Sequence, residues 1–160
     1  MHPYDAELLA FQLGLRHKTM CCAESCTGGL IGAAMTDMAG SSEYFLGSAV
    51  TYSNEAKMRI LGVEEDTLIA HGAVSEETAR EMALGAARVF GADYSVAVTG
   101  IAGPGGATET KPVGLVYIAV SDGSRTVVTR NVFEGGRQQV RESTVKEACG
   151  LLKDFIEGIL

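Results

Sequence analysis

The sequence predicts a three-layer α/β/α sandwich on a mixed sheet, with a C-terminal hairpin followed by a closing helix. Three observations carry that prediction. Short apolar runs alternate along the chain with segments of helical periodicity, the pattern of strands covered by helices. Residues 94–98, Tyr-Ser-Val-Ala-Val, are nearly continuously apolar, as in a strand buried on both faces. Finally, Ser121-Asp122-Gly123-Ser124 separates two runs rich in β-formers, and its Asp-Gly pair signals a hairpin.

Taken in order, residues 5–17 carry Leu8, Leu9, Phe11, Leu13 and Leu15, a pattern compatible with a packed helix that Asp5 caps. Residues 19–23 read as a buried strand. Residues 28–38, rich in Gly, Ala and Met, read as a helix able to pack closely on a sheet, ended by Gly40-Ser41-Ser42. A strand is expected over 44–52, and Ser53-Asn54-Glu55 suits the cap of a helix over 56–61. A short helical piece at 64–71 stops at Gly72. Ser75 starts the clearest helix, with acids in its first turn and Ala79, Met82, Ala83, Ala86, Ala87 and Phe90 at helical spacing. Residues 99–112 form a glycine-rich loop, 114–120 and 126–133 the hairpin strands, and 137–159 an amphipathic closing helix. Val140, Thr144, Val145, Ala148, Leu151, Leu152 and Phe155 make its inward face.

Composition narrows the function. The chain of 160 residues suits one domain, and 46% hydrophobic with 21% charged residues is the balance of a globular protein. No run approaches the ~20 apolar residues of a membrane span, and the first residues lack a basic flank and an apolar signal core, so a cytoplasmic protein without membrane contact is expected. A formal charge of -7 argues against nucleic-acid binding, which needs a basic face. Cys21, Cys22, Cys26 and Cys149 form no Cys-x-x-Cys pair, and His2, His17 and His71 are scattered; no metal site is expected.

Four segments hold the chemistry-bearing residues. In Ala23-Glu24-Ser25-Cys26-Thr27-Gly28-Gly29 a strand gives way to a helix, so hydroxyls, a thiol and backbone N–H groups meet where a phosphate or oxyanion would suit. Ser25 needs a base to become a nucleophile. No histidine stands out, which leaves a desolvated lysine as the candidate, while Ser25 and Thr27 serving only as helix caps is the other reading. Cys26 beside it is a second possible nucleophile. The stretch Thr51-Tyr52-Ser53-Asn54-Glu55-Ala56-Lys57 runs off a strand end, where α/β proteins gather reactive groups. Its Tyr and Lys are one residue too far apart for the Tyr-x-x-x-Lys dyad of short-chain dehydrogenases, and no dinucleotide fingerprint follows the first strand.

Third, Thr99-Gly100-Ile101-Ala102-Gly103-Pro104-Gly105-Gly106, continuing to Lys111-Pro112-Val113-Gly114, lets backbone N–H groups approach a ligand but lacks the Walker spacing. Fourth, Arg137 and Arg141 lie one helical turn apart, and arginine forks suit phosphate.

Together and in this order, these segments resemble the carboxy-terminal domain of the competence/damage-inducible protein CinA, whose stand-alone versions are nicotinamide mononucleotide deamidases. The resemblance spans nearly the whole chain. It implies hydrolysis of the carboxamide of nicotinamide mononucleotide to nicotinate mononucleotide and ammonia in pyridine nucleotide salvage, without metal or redox cofactor. It further implies Ser25 as nucleophile, Lys57 as its base and Tyr52 as a positioning or proton-relaying group. Backbone N–H groups at Cys26, Thr27 and Gly28 would hold the oxyanion. Thr99 and the loop with Gly100, Gly103, Gly105 and Gly106 would shape the nucleotide pocket, and Arg137 or Arg141 would take the phosphate. Lys111 rivals Lys57 as base and the arginines as phosphate ligand.

A homo-oligomer is implied too. The chain departs from the family pattern at Gly136, where Asp is common, and at residues 107–110, which leaves the loop conformation open. It has no room for the amino-terminal domain of longer relatives, so the pyrophosphatase activity attributed to that domain is expected to be absent. The competing expectation is a nucleotide- or partner-binding module that keeps the pocket without catalysis.

Overall fold

A computed structural model describes residues 4–160. Its elements follow the predicted alternation: α1 (Tyr4–Arg16), β1 (Met20–Glu24), α2 (Leu30–Thr36), a 3-10 turn (Ser41–Glu43), β2 (Phe45–Val50), α3 (Asn54–Leu61), α4 (Glu65–His71), α5 (Glu76–Phe90), β3 (Tyr94–Gly100), β4 (Leu115–Ser121), β5 (Thr126–Val132) and α6 (Arg137–Glu157). One five-stranded sheet has the order β2-β1-β3-β4-β5. β1 runs parallel to β2 and β3, whereas β3, β4 and β5 pair antiparallel. Glu24 lies opposite both Val50 and Val98, so the three parallel strands end together.

The two faces of the sheet explain the layers. Successive strand residues point to opposite faces. Met20 and Cys22 of β1 join Val96, Val98, Val116 and Ile118 in a core roofed by α1, α2 and α6. Cys21 and Ala23 join Ala97 and Ala119 under α5, where Ala79, Met82, Ala83 and Ala86 continue the cluster. The face under α5 is lined by small residues, which lets that helix sit close. A Cβ on Gly85 would collide with the Leu61 carbonyl, so glycine is what allows α3 and α5 to touch.

Most predicted signals act as expected. Ser53 and Ser75 cap α3 and α5, accepting from the N–H groups of Ala56 and Thr78 at 3.1 and 3.2 Å. The Asp122 carboxylate closes the hairpin by accepting from the Ser124 and Arg125 N–H groups. α6 buries the predicted face, including Val140, Leu152 and Phe155.

Two expectations fail. The cap assigned to Asp5 does not stand, because α1 already includes Tyr4; the Asp5 side chain lies outside the described residues. The helix expected from residue 28 starts only at Leu30. Gly28 and Gly29 have φ of 60° and 108°, left-handed values that turn the chain before the helix begins.

Candidate active site at the strand ends

The parallel strands deliver the site. Ser25 follows β1, with its N–H donating to the Val98 carbonyl at 3.2 Å, and the Thr51 N–H donates to the Glu24 carbonyl at 2.8 Å. The chain after β2 is thus fixed beside the chain after β1. Ser53 then starts α3, and Lys57 in its first turn sends its side chain back toward the helix N-terminus, the direction helical side chains take.

Lys57 is 1% exposed. Its Nζ donates to Ser25 Oγ at 2.9 Å, to the Thr51 carbonyl at 2.8 Å and to the Tyr52 carbonyl at 3.1 Å. An ammonium has three N–H donors, and all three are used. A neutral amine keeps two donors for the two carbonyls, and its lone pair then faces the Ser25 hydroxyl. Both protonation states therefore fit the same cage. Burial lowers the Lys57 pKa from 10.5 to about 8, with the Cys26 thiol pulling weakly the other way.

A cavity of about 240 Å³ opens over this pair, lined by Ser25, Cys26, Tyr52, Lys57, Ala73, Val74, Thr99, Gly100, Ala102 and Arg137. Thr99 is buried, and its hydroxyl donates to the Ala73 carbonyl at 2.8 Å, fixing the wall formed by residues 73–74. Arg137, at the start of α6, donates to the Gly103 carbonyl at 2.8 Å and reaches the Tyr52 hydroxyl at 3.4 Å. It also lines a neighbouring cavity of about 310 Å³ with Leu30, Gln138, Arg141 and Glu142.

The structure sorts the residues singled out in the sequence. Ser25, Cys26, Tyr52, Lys57, Thr99, Gly100 and Arg137 come together. The Tyr52 hydroxyl faces Arg137, and it is the Tyr52 carbonyl that meets Lys57. Lys111 stands elsewhere: its Nζ donates to the His71 carbonyl at 2.6 Å, at the end of α4 where a cation complements the helix dipole. Arg141 donates to the carbonyls of Cys26 and Thr27, both at 3.1 Å, so its fork is occupied by the turn itself. Gly105 and Gly106 lie exposed outside the cavity lining, and Thr27 is fully buried beneath it. The Gly28 N–H is taken by the Ser25 carbonyl at 3.1 Å, which removes it from the expected oxyanion donors.

The expected anion site at the helix start is filled from within. The Glu24 carboxylate, fully buried, accepts from the N–H groups of Ile31 and Gly32 at 2.8 and 3.1 Å. An anion at a helix N-terminus is favourable, and here the protein supplies its own. Ala73 and Val74 also escaped the sequence reading, because small apolar side chains carry no chemical signature, whereas Ala102 lies within the glycine-rich loop singled out there. Cys26 is a poor nucleophile in this setting. Burial pushes its thiol up to about 11, outweighing its own backbone N–H and the nearby Lys57 and Arg141 charges. Among the described residues no three His, Cys, Asp or Glu side chains gather as metal ligands, and no helix is long and apolar enough to cross a membrane.

Fold and site together define an α/β domain with a serine at a strand end hydrogen-bonded to a buried lysine. The chain belongs to the CinA C-terminal domain family, whose model matches residues 5–156. A CinA-like protein of Endomicrobium trichonymphae is 54% identical over 136 residues, covering 85% of this chain and 32% of that protein. A putative competence-damage inducible protein of Moorella thermoacetica is 49% identical over 140 residues, covering 88% of this chain and 34% of that one. The chain thus spans about one third of the length of these curated relatives.

Solved structures share the fold. The CinA superfamily protein from Klebsiella pneumoniae 700603 superposes with a TM-score of 0.94 at 33% identity, covering 98% of both chains. The competence/damage inducible protein CihA from Agrobacterium tumefaciens gives 0.91 at 41% identity, covering 94% of this chain and 92% of that one.

Proposed function

We propose that this domain hydrolyses the carboxamide of nicotinamide mononucleotide to nicotinate mononucleotide and ammonia, with Ser25 as nucleophile and Lys57 as general base. The observation that carries this reading is the 2.9 Å contact between Ser25 Oγ and the Nζ of a buried lysine at the floor of the cavity. A serine hydroxyl is a weak nucleophile until a base takes its proton, and an exposed lysine is protonated at neutral pH. Burial brings Lys57 to about 8, where a useful fraction is neutral.

The steps follow from that pair. Ser25 Oγ attacks the carboxamide carbon as its proton passes to Lys57, and the carbonyl oxygen becomes an oxyanion beside the turn at Cys26 and Thr27. The C–N bond then breaks, the nitrogen takes the proton from Lys57, and ammonia leaves an ester on Ser25. A water molecule, deprotonated by Lys57, attacks this ester. Collapse of the second tetrahedral adduct returns the proton from Lys57 to Ser25 Oγ and releases the carboxylic acid, which ionises as its proton passes to the ammonia or to solvent. Arg137 at the cavity mouth suits the phosphate, since its guanidinium presents a fork of donors. A cavity of about 240 Å³ accommodates the ring that reacts, and the adjoining space past Arg137 leaves room for the rest of the nucleotide.

The test is ammonia release from nicotinamide mononucleotide in the presence of a chelator, with Ser25→Ala as the comparison. Release by the wild type that falls at least about 10³-fold in Ser25→Ala is expected. Saturable binding in calorimetry with no product over long incubation would instead fit the binding module, and undiminished release by Ser25→Ala would reject the serine route.

A further inference from the structure

Glu24 has no part in the steps above, yet it is among the most completely buried polar side chains of the protein. Its Oε1 accepts from the Thr27 hydroxyl at 2.6 Å and the Ile31 N–H at 2.8 Å. Its Oε2 accepts from the Ser48 hydroxyl at 2.5 Å and the Gly32 N–H at 3.1 Å. Four donors meet the roughly four acceptor positions of a carboxylate, and they come from three places: the turn after Ser25, the start of α2, and β2. Between Ser25 and α2 the chain runs through Gly28 and Gly29, both at left-handed φ, so the turn has little stiffness of its own.

The main chain of the same residue closes a ring. The Glu24 carbonyl accepts from the Thr51 N–H, the Thr51 carbonyl accepts from Lys57 Nζ, and Lys57 Nζ meets Ser25 Oγ. Residue 24 thereby links the nucleophile to the carbonyl that holds its base. On the far side of the turn, Arg141 grips the carbonyls of Cys26 and Thr27. Thr27 is held at both ends, by Glu24 at its hydroxyl and by Arg141 at its carbonyl. A peptide N–H points opposite to the carbonyl of the same unit, so the grip on the Cys26 carbonyl also sets the direction of the Thr27 N–H.

From this arrangement we infer that Glu24 is the positioning residue of the nucleophile: its buried carboxylate locks the turn at residues 25–28 so that Ser25 Oγ stays on Lys57. The inference rests on the reading of Ser25 as nucleophile. Glutamine cannot replace the carboxylate, because its NH₂ group would face the fixed N–H of Gly32 or Ile31 and leave that donor unpaired. Ser48 can rotate its hydroxyl to adapt; a backbone N–H cannot.

The experiment follows labelling of Ser25 by a fluorophosphonate, read by intact mass on protein whose fold is checked by circular dichroism. This readout needs no physiological substrate. Glu24→Gln is expected to slow labelling at least about tenfold and, with the nucleotide, to lower kcat while KM stays within about twofold. Loss of folding stability alone would leave the rate per folded molecule unchanged, so labelling of Glu24→Gln within about twofold of wild type overturns the inference.

If Glu24→Gln does not fold, Thr27→Val and Thr27→Ser decide. Valine should slow labelling and serine, which keeps the hydroxyl, should recover it; equal rates in the two overturn the inference. Wild type that labels at Ser25 but releases no ammonia would reject the substrate and leave the role of Glu24 standing on the labelling rates. Wild type that does not label at Ser25 would overturn it.

Discussion

In the parallel half of the sheet, β2, β1 and β3 end at one edge, and each strand hands the chain to part of the cavity. Ser25 follows β1, Tyr52 and the α3 turn bearing Lys57 follow β2, and Thr99 and Gly100 close β3. In the antiparallel half, β4 and β5 contribute no residue to the cavity lining. Their connecting turn lies at the opposite end, and β5 runs back so that Val132 pairs with Leu115, next to the site, before Arg137 opens α6. Parallel strands concentrate reactive groups because their ends coincide. The hairpin instead returns the chain and launches the arginine. If that division is right, changes at the parallel ends should strike the chemistry, changes at the start of α6 should strike binding, and changes in the hairpin should touch stability alone.

The largest effect is expected at Lys57. Lys57→Met should reduce kcat for ammonia release by about 10³-fold or more, measured at pH 8 with folding verified. It should also alter the stability profile. The folded pKa of about 8 lies below the unfolded 10.5, so between them the unfolded chain holds a proton that the folded chain lacks. Lys57 therefore adds stability as pH rises across that window, by about 3 kcal/mol at most, while the buried Cys21, Cys22 and Cys26 thiols, pushed up by burial, oppose it above about pH 9; urea titrations should show the stability of wild type relative to Lys57→Met growing from pH 8 to 10.5.

A smaller effect separates the two arginines. Arg137→Ala should raise KM about tenfold or more with little change in kcat, because in the proposed reaction its exposed fork at the mouth takes the phosphate of the nucleotide. Arg141→Ala should lower kcat and thermal stability while KM moves less, because Arg141 holds the carbonyls of the turn. Steady-state kinetics of both variants check this, and equal KM effects would erase the distinction.

The smallest effect belongs to the hairpin. Asp122→Ala removes a carboxylate that accepts from the N–H groups of Ser124 and Arg125, and should lower Tm by about 2–4 °C without altering kcat. The Arg125 N–H is the main cause holding the Asp122 pKa below its ordinary value. The stability it contributes is therefore present above the unfolded carboxyl range and lost as pH falls through the folded one. Thermal melts at neutral and acid pH should show the wild type converging on the variant in acid.

The order of elements was legible because it rests on local patterns: the Ser53 and Ser75 caps, the spacing in α5, the Asp122-Gly123 turn and the continuous apolar run of β3. The pairing of Ser25 with Lys57 emerged from the family resemblance rather than from spacing, since the two lie 32 residues apart. Lys57 burial was not legible at all. It depends on α3 lying against α5 at Gly85, a contact that no pattern within Asn54–Leu61 announces.

Glu24 was missed for a related reason. A glutamate at a strand end reads as a solvated charge, and its four donors come from three separate segments. The misjudged start of α2 shows the limit of composition: glycine before a run of small residues reads as helix, whereas both glycines adopt left-handed φ. Lys111 and Lys57 looked alike as charged residues near glycine-rich or polar turns, and only the fold separates the one on His71 from the one on Ser25.

The most direct test of the Ser25–Lys57 pair is the pH dependence of Ser25 labelling by a fluorophosphonate, followed by intact mass from about pH 6 to 11. The buried pair predicts a single sigmoid that rises with a midpoint near 8, and its loss in Lys57→Met. A midpoint at the ordinary lysine value of 10.5, or undiminished labelling in Lys57→Met, would contradict it.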